Sequence, residues 1–228
     1  MNPTSLGNPF RQVCIDFQTE PIQAVDNDSQ AVREYVKHVK GDNVADLLIG
    51  WLCIEDTFFA YLFRRMKRES RQNNNFSIAE NLAENGFKSL TIRVNKWVIS
   101  ENRPVLIIPV ASRHGVSERF AYILMKLLET SCKLSMFYTM PLQKNKQTQA
   151  DIKNIVGWNN RENVVKDIFE FKDTGYELSK YSIILVDDII TSGASLRRSA
   201  EILVTNGADR ILGVCLATNL YYNTGDKK

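Results

Sequence analysis

The chain has 228 residues, of which 44% are hydrophobic and 24% are charged, and its formal net charge is +3. This length allows one sizeable core, which favours a single domain with an appended segment over two full domains. The composition is that of a globular protein rather than a disordered one, and so small a net charge does not by itself indicate a polyanionic partner.

The sequence contains no pattern typical of a structural zinc site or of a membrane protein. Four cysteines are far apart: Cys14, Cys53, Cys132 and Cys215. A structural zinc site normally needs closely spaced pairs of ligands. Residues 1–10 lack the basic start and apolar core of a signal peptide, and the most apolar stretch, 47–54, is far shorter than a membrane span. We therefore expect a reduced, cytoplasmic protein that does not enter a membrane.

The first part of the chain has weak or helical periodicity. Residues 1–28 contain three prolines and no clear period, which is typical of a loose arm. Helical spacing of apolar residues predicts helices over 29–40 and 43–71. A capping box, Ser77 with Glu80, predicts a short helix that ends at Gly86, and the alternation in 89–100 then predicts a strand. We divide the chain into an N-terminal arm and helical segment, 1–75, and a core domain, 76–228.

Buried strands alternate with helices in the second half of the chain. The predicted strands are 105–110, 133–140, 163–171, 182–186 and 210–218; the predicted helices are 117–130, capped by Ser117, and 194–207, ended by Gly207. Residues 141–162 are long and polar, as expected for a loop. This alternation predicts an α/β protein with a parallel sheet covered by helices on both faces, in which ligands bind beyond the carboxyl ends of the strands.

The stretch IILVDDIITSGAS, residues 183–195, places two acids at such a strand end. After Asp187 and Asp188 come hydroxyl groups, a flexible glycine and the start of a helix, where backbone N–H groups favour an anion. The predicted phosphate cradle consists of Thr191, Ser192, Gly193, Ala194 and Ser195. Carboxylates would repel a bare phosphate but accept hydrogen bonds from sugar hydroxyls, so a ribose 5-phosphate unit satisfies both halves of the motif. We expect any Mg²⁺ to be held mainly by the ligand, bridged at most through water to the two acids.

This stretch closely resembles the phosphoribosyl diphosphate (PRPP) motif of the type I phosphoribosyltransferases. Over residues 58–218 the chain is most similar to the ComF-type, competence-associated members of that superfamily. The similar segments are YLFRRMKRESRQNNNFSIAENLAE, VLIIPVASRHG and QTQADIKNIVGWNNRENVVKDIFEF. The resemblance implies a core of about five parallel strands and a hood built from other segments over the site.

Outside the motif, three groups of residues have both a functional and an ordinary explanation. Ser112 and Arg113 follow the strand 105–110 and are candidates for binding diphosphate, whereas a solvated loop is the alternative. Lys144 and Lys146 are candidates for stabilising the leaving diphosphate, or are simply exposed. A run of basic residues is a candidate for binding a nucleic-acid backbone; the alternative is that it only offsets the dipole of its own helix. The run consists of Arg64, Arg65, Lys67, Arg68 and Arg71.

The sequence therefore predicts a Mg²⁺-dependent phosphoribosyltransferase, an enzyme that transfers 5-phosphoribosyl from PRPP to a nitrogen of a base or amine and releases diphosphate. Asp187 and Asp188 would orient the ribose, and with Lys144 and Lys146 they form the predicted catalytic set. The alternative is a catalytically silent protein of ComF type that acts in DNA uptake, nucleic-acid binding or regulation, with PRPP as an effector. Both hypotheses are compatible with a homodimer.

Overall fold

The computed structural model describes residues 46–53, 58–112, 114–144, 168–190 and 194–219. The elements in chain order are β1 (Asp46–Cys53), α1 (Phe58–Asn73), α2 (Ser77–Glu101), β2 (Val105–Pro109), α3 (Val116–Glu129), β3 (Met136–Tyr138), β4 (Leu142–Lys144), β5 (Phe169–Phe171), a 3₁₀ turn (Leu178–Lys180), β6 (Ser182–Ile190), α4 (Ala194–Thr205) and β7 (Ile211–Asn219). Of these, β1, β7, β6, β2 and β3 form one sheet in that spatial order, and every neighbouring pair is parallel.

Both faces of this sheet are covered, as predicted. Successive strand residues point to opposite faces, so Ile184 and Val186 join one hydrophobic cluster with α2 and α3, whereas Ile183 and Leu185 join another with α4. Strands that are buried on both sides read as continuous apolar runs, and this is why β2 and β6 could be recognised from the sequence. The predicted fold class, a parallel sheet of about five strands with helices on both faces, is confirmed.

The prediction of a short helix followed by a strand between residues 77 and 100 is wrong. Helix α2 runs without a break for 25 residues, and Gly86 is buried inside it. Leu90, Val94 and Val98 are fully buried at intervals of four residues, which is helical spacing, while Ile92 is 65% exposed. A half-buried strand would have placed Ile92 on the same face as Leu90 and Val94. The helix ends at Asn102, which adopts the left-handed conformation.

The prediction of one helix over 43–71 is also wrong in its first part. Asp46–Cys53 is strand β1, paired with β7 at one edge of the sheet, and α1 begins only at Phe58. A short apolar run such as this one fits a strand and a helix equally well by periodicity alone. The predicted helix 29–40 and arm 1–28 lie outside the described residues, and the division of the chain at residue 75 stays a prediction.

Two predicted helix caps are wrong and one helix stop is confirmed. The N-cap residue of α2 is Phe76 rather than Ser77, it makes no side-chain cap hydrogen bond, and Glu80 instead pairs with Arg119 at 3.4 Å. Helix α3 starts after Gly115, whose φ of 70° suits a glycine, while Ser117 lies buried inside the first turn. Gly207 has a φ of 97° and follows the end of α4, as predicted.

Strands β4 and β5 form a separate antiparallel pair. The prediction that 163–171 adds a strand to the parallel sheet is therefore wrong for its described part, and the predicted loop 141–162 contains β4 at its start. The remaining residues of both predictions lie outside the described parts of the chain. Among the helices described here, none is long and apolar enough to cross a membrane.

Candidate functional site

The two aspartates of the acid motif stand at the carboxyl end of the sheet, beyond the last residue of β2. Strand β6 pairs with β2 only as far as Val186, which lies opposite Pro109. The strand then continues through Asp187 and Asp188 to Ile190, paired only with β7. Because β2 stops first, one edge of β6 at the acids is open to the loop and helix that follow β2.

Both carboxylates are anchored by several donors. Asp187 Oδ1 accepts a hydrogen bond from Ser117 Oγ at 3.0 Å and another from the backbone N–H of Asp188 at 2.8 Å. Asp188 Oδ1 accepts from the backbone N–H of Ile189 at 2.6 Å, and its Oδ2 lies 2.7 Å from Lys67 Nζ. Ser117 of α3 thus holds the Asp187 carboxylate, and Lys67 of α1 holds the Asp188 carboxylate.

The electrostatic environment of Asp187 favours its protonated form. The pKa of Asp187 is raised from 3.8 to about 7, chiefly by burial and then by the charge of the neighbouring Asp188 carboxylate; the hydrogen bonds from Asp188 N–H and Ser117 and the charge of Lys67 act in the opposite direction. The buried thiol of Cys215, which lies opposite Asp187 in the sheet, also has a raised pKa because of burial and the two acids. Cys215 is therefore a core thiol rather than a nucleophile.

We expect Asp187→Asn to stabilise the protein more at high pH than at low pH. In the wild type, the folded state binds the Asp187 proton more tightly than the unfolded state does. The contribution of this group to the free energy of unfolding is therefore fully present below the unfolded pKa and is lost as the pH rises towards 7. Asparagine keeps an acceptor for Ser117 and carries no charge. The gain in melting temperature over wild type should be larger at about pH 8 than at about pH 5.

The control for this measurement is the exposed residue Asp173, whose Oδ1 accepts only the N–H of Gly175 among its described contacts. Asp173→Asn should shift the melting temperature by similar amounts at both pH values. An equal gain for Asp187→Asn at both pH values would contradict the assignment of a buried, proton-binding carboxyl group.

The loop after β2 is closed by a carboxylate of its own. Ser112, one of the predicted diphosphate ligands, donates its backbone N–H to Glu118 Oε1 at 3.1 Å and its hydroxyl to Glu118 Oε2. Glu118 lies in the first turn of α3, next to Ser117. The N–H and hydroxyl groups of Ser112, predicted to bind diphosphate, therefore donate to the Glu118 carboxylate in this structure. Arg113, the second predicted diphosphate ligand, lies outside the described residues.

Lys144, a member of the predicted catalytic set, is influenced by the charges of the two acids. It ends strand β4, with its Nζ 5.7 Å from the centroid of the Phe169 ring. Although much of its side chain is exposed, partial burial of the ammonium group lowers the pKa of Lys144, and the charges of Asp187, Asp188 and Glu118 oppose that shift. Asp187, Asp188 and Glu118 therefore act electrostatically on Lys144 from other elements, and its role in catalysis stays a prediction. Lys146 lies outside the described residues.

The phosphate cradle is described only at its helical end. Ile190 ends β6, and α4 begins at Ala194, which is buried, with Ser195 half-buried beside it. The predicted order of strand, short connection and helix is confirmed at both flanks. Thr191, Ser192 and Gly193, the central residues of the predicted cradle, lie outside the described part of the chain.

Three residues of the site were missed or misassigned from the sequence. The sequence patterns assign Lys67 to a basic run and Ser117 to a helix cap, and they give no role to Glu118. Ser117 and Glu118 could have been found, because they follow the carboxyl end of β2, where ligands of such sheets gather. Lys67 carried no such signal, since only the packing of α1 brings it to Asp188. The four arginines of its run, Arg64, Arg65, Arg68 and Arg71, are exposed.

Comparisons with known proteins give likenesses of fold only. No known family profile and no curated protein matches the sequence. Similar solved structures include the hypoxanthine phosphoribosyltransferase of Staphylococcus aureus, with 16% identity, a TM-score of 0.43 and coverage of 65% of this chain and 70% of that one. The hypoxanthine-guanine phosphoribosyltransferase of Bacillus anthracis has 15% identity, a TM-score of 0.43 and coverage of 65% and 74%. The purine phosphoribosyltransferase of Pyrococcus horikoshii has 15% identity, a TM-score of 0.35 and coverage of 61% and 72%. With TM-scores this low, nothing about activity follows from them.

Proposed function

We propose that this protein is a PRPP-binding phosphoribosyltransferase that transfers the 5-phosphoribosyl group to a nitrogen acceptor and releases diphosphate. The observation that carries the proposal is the anchored pair Asp187 and Asp188 near the open carboxyl end of β6, with Asp188 six residues before Ala194, where α4 begins. Carboxylate acceptors beside a helix N-terminus suit a ribose phosphate, since the hydroxyl and phosphate ends of that ligand need opposite partners.

The acid pair would recognise the ribose. Asp188 has an ammonium group at 2.7 Å, which favours its charged form, so it is the stronger acceptor for a sugar hydroxyl. Asp187, which is held by Ser117, would form a hydrogen bond with the neighbouring sugar hydroxyl, as acceptor when ionised and as donor when protonated. The two acids therefore offer one charged and one partly protonated group to the 2- and 3-hydroxyls of the sugar.

The reaction breaks the bond between ribose C1 and a diphosphate oxygen and forms a bond between C1 and the acceptor nitrogen, which loses a proton to water. Positive charge develops on the sugar in the transition state, as it does in glycoside cleavage, and the Asp188 carboxylate would offset it. The ammonium group of Lys144 would stabilise the departing diphosphate. When bound with PRPP, Mg²⁺ would neutralise part of the diphosphate charge, and the diphosphate itself would hold it.

Diphosphate would compete with Glu118 for the donors of Ser112. Both are anions that accept from the same N–H and hydroxyl groups, so a bound diphosphate requires the Glu118 carboxylate to move away or tolerate a second negative charge. We expect Glu118→Gln to tighten diphosphate binding about tenfold, or about 1.4 kcal/mol, because it removes that charge and keeps an acceptor for the backbone N–H.

Titration calorimetry with diphosphate measures this difference. Glu129→Gln, at the other end of α3, removes an exposed carboxylate and should leave the affinity unchanged. Weaker binding by Glu118→Gln than by wild type would show that the carboxylate supports the loop rather than opposing the ligand.

The activity is tested by a screen of purine and pyrimidine bases and of amines for diphosphate release from PRPP. Release that depends on one acceptor, with a matching phosphoribosyl product in mass spectrometry, supports the proposal. PRPP binding without release with any acceptor would instead favour the silent, regulatory alternative, in which the exposed arginines of α1 bind nucleic acid. The ComF-type resemblance, the homodimer and the cytoplasmic location stay predictions.

A further inference from the structure

Lys67 is the basic residue of α1 that turns towards the sheet. Its Nζ lies 2.7 Å from Asp188 Oδ2, and the two side chains are 27% and 13% exposed. Arg64, Arg65 and Arg68 are all more exposed than Lys67, and Arg65 faces Glu69 along the helix at 3.8 Å. The basic run of the sequence is therefore divided in the fold, with one member in the site and the arginines outside it.

The surroundings of Asp188 do not suit direct coordination of a metal ion. One carboxylate oxygen accepts the N–H of Ile189, and the other holds the Lys67 ammonium. A divalent cation on the same oxygens would have to displace that ammonium and would be repelled by it. In the described parts of the chain, no group of three His, Cys, Asp or Glu side chains could hold a metal ion.

Lys67 acts on the whole acid pair rather than on Asp188 alone. Its charge works against the effect of burial on Asp187, and it repels Lys144 of β4, whose charge the two acids also influence. One cation, Lys67 of α1, contacts Asp188, and a second, Lys144 of β4, interacts electrostatically with both acids. The two ammonium groups offset the negative charge of the two carboxylates, which would otherwise repel the phosphate groups of PRPP.

We propose that Lys67 is a positioning residue for the donor substrate, whose ammonium group supplies at Asp188 the positive charge that a directly bound metal ion would supply. The Asp188 carboxylate is then charged and correctly oriented before PRPP arrives, and Mg²⁺ is needed only for the diphosphate of the ligand. This inference rests on the proposed function, because it specifies how the ribose half of the same site is prepared.

The test compares PRPP affinity by titration calorimetry in excess Mg²⁺ and in EDTA for wild type, Lys67→Met and Lys67→Arg. Methionine keeps the length of the side chain and removes its charge. We expect Lys67→Met to bind PRPP about tenfold more weakly than wild type in EDTA and to recover most of that loss in excess Mg²⁺. Lys67→Arg should stay close to wild type in both conditions, and so should Arg68→Met, which removes an exposed charge from the same helix.

A loss of the same size in both conditions, or no loss, would overturn the inference and leave the proposed function intact, since a purely structural lysine would not change the metal dependence. Absence of PRPP binding by the wild type in both conditions would overturn the proposed function and the inference together. The ion pair is checked without any ligand by a double-mutant cycle of Lys67→Met and Asp188→Asn in thermal unfolding. If the two stability changes simply add, the contact is absent in solution and the inference fails.

Discussion

Asp188→Asn should weaken PRPP binding by about 100-fold, because hydrogen bonds to charged groups contribute about 1.5–3 kcal/mol and each 1.4 kcal/mol is a factor of ten. The change removes the negative charge that accepts from a ribose hydroxyl and leaves Lys67 without its carboxylate partner at 2.7 Å. An uncompensated ammonium group beside the sugar would also raise the energy of the positively charged transition state. Titration calorimetry in excess Mg²⁺ measures the affinity.

The matched control for this variant is Asp209→Asn. Asp209 lies at the opposite end of the sheet, where it accepts two hydrogen bonds from Arg103 at 2.9 and 3.0 Å. Its loss removes a carboxylate ion pair without touching the acid motif, so PRPP affinity should equal that of wild type. A change of less than about threefold for Asp188→Asn would remove Asp188 from the binding site.

Phe120→Ala should destabilise the fold by about 3–5 kcal/mol, which is the usual cost of replacing a buried phenylalanine by alanine. Phe120 is fully buried in α3 and packs edge to face against Phe87 of α2, with ring centroids 5.8 Å apart. The pair holds α2 and α3 together over one face of the sheet. Its loss leaves a cavity that neighbouring backbone cannot fill, because both helices are fixed by other buried side chains.

Urea unfolding of Phe120→Ala and of Tyr122→Ala measures this contribution. Tyr122 lies on the same helix but is 46% exposed, so its truncation should cost less than about 1 kcal/mol. Similar losses for both variants would contradict the placement of Phe120 at the centre of the core.

The parts of the site that are local in sequence could be predicted, whereas the parts that depend on packing could not. Asp187, Asp188 and the helix that starts at Ala194 belong to one continuous stretch, in which strand, acids and helix follow from residue order. Lys67 and Glu118 reach the same place from other elements. Their arrival depends on how α1 and α3 pack on the sheet, which no single segment encodes.

The errors in secondary structure have a similar origin. The stretch 89–100 alternates like a strand, but the buried series Leu90, Val94 and Val98 also has helical spacing, and packing against α3 decided between the two. The prediction of a helix at β1 is wrong because its short apolar run fits either period, and its partner β7 lies far along the chain. Continuous apolar strands such as β2 and β6 were recognised because burial on both faces leaves a pattern that a surface helix cannot produce.

The most direct test of the proposed function is a calorimetric titration of the wild-type chain with PRPP in excess Mg²⁺, repeated with ribose 5-phosphate present as competitor. We expect saturable binding at one site, which ribose 5-phosphate weakens by competition because it occupies the same acid pair and phosphate cradle. The double variant Asp187→Asn with Asp188→Asn should show little or no heat. Absence of PRPP binding by the wild type, or equal binding by the double variant, would contradict the assignment of this site to a ribose phosphate donor.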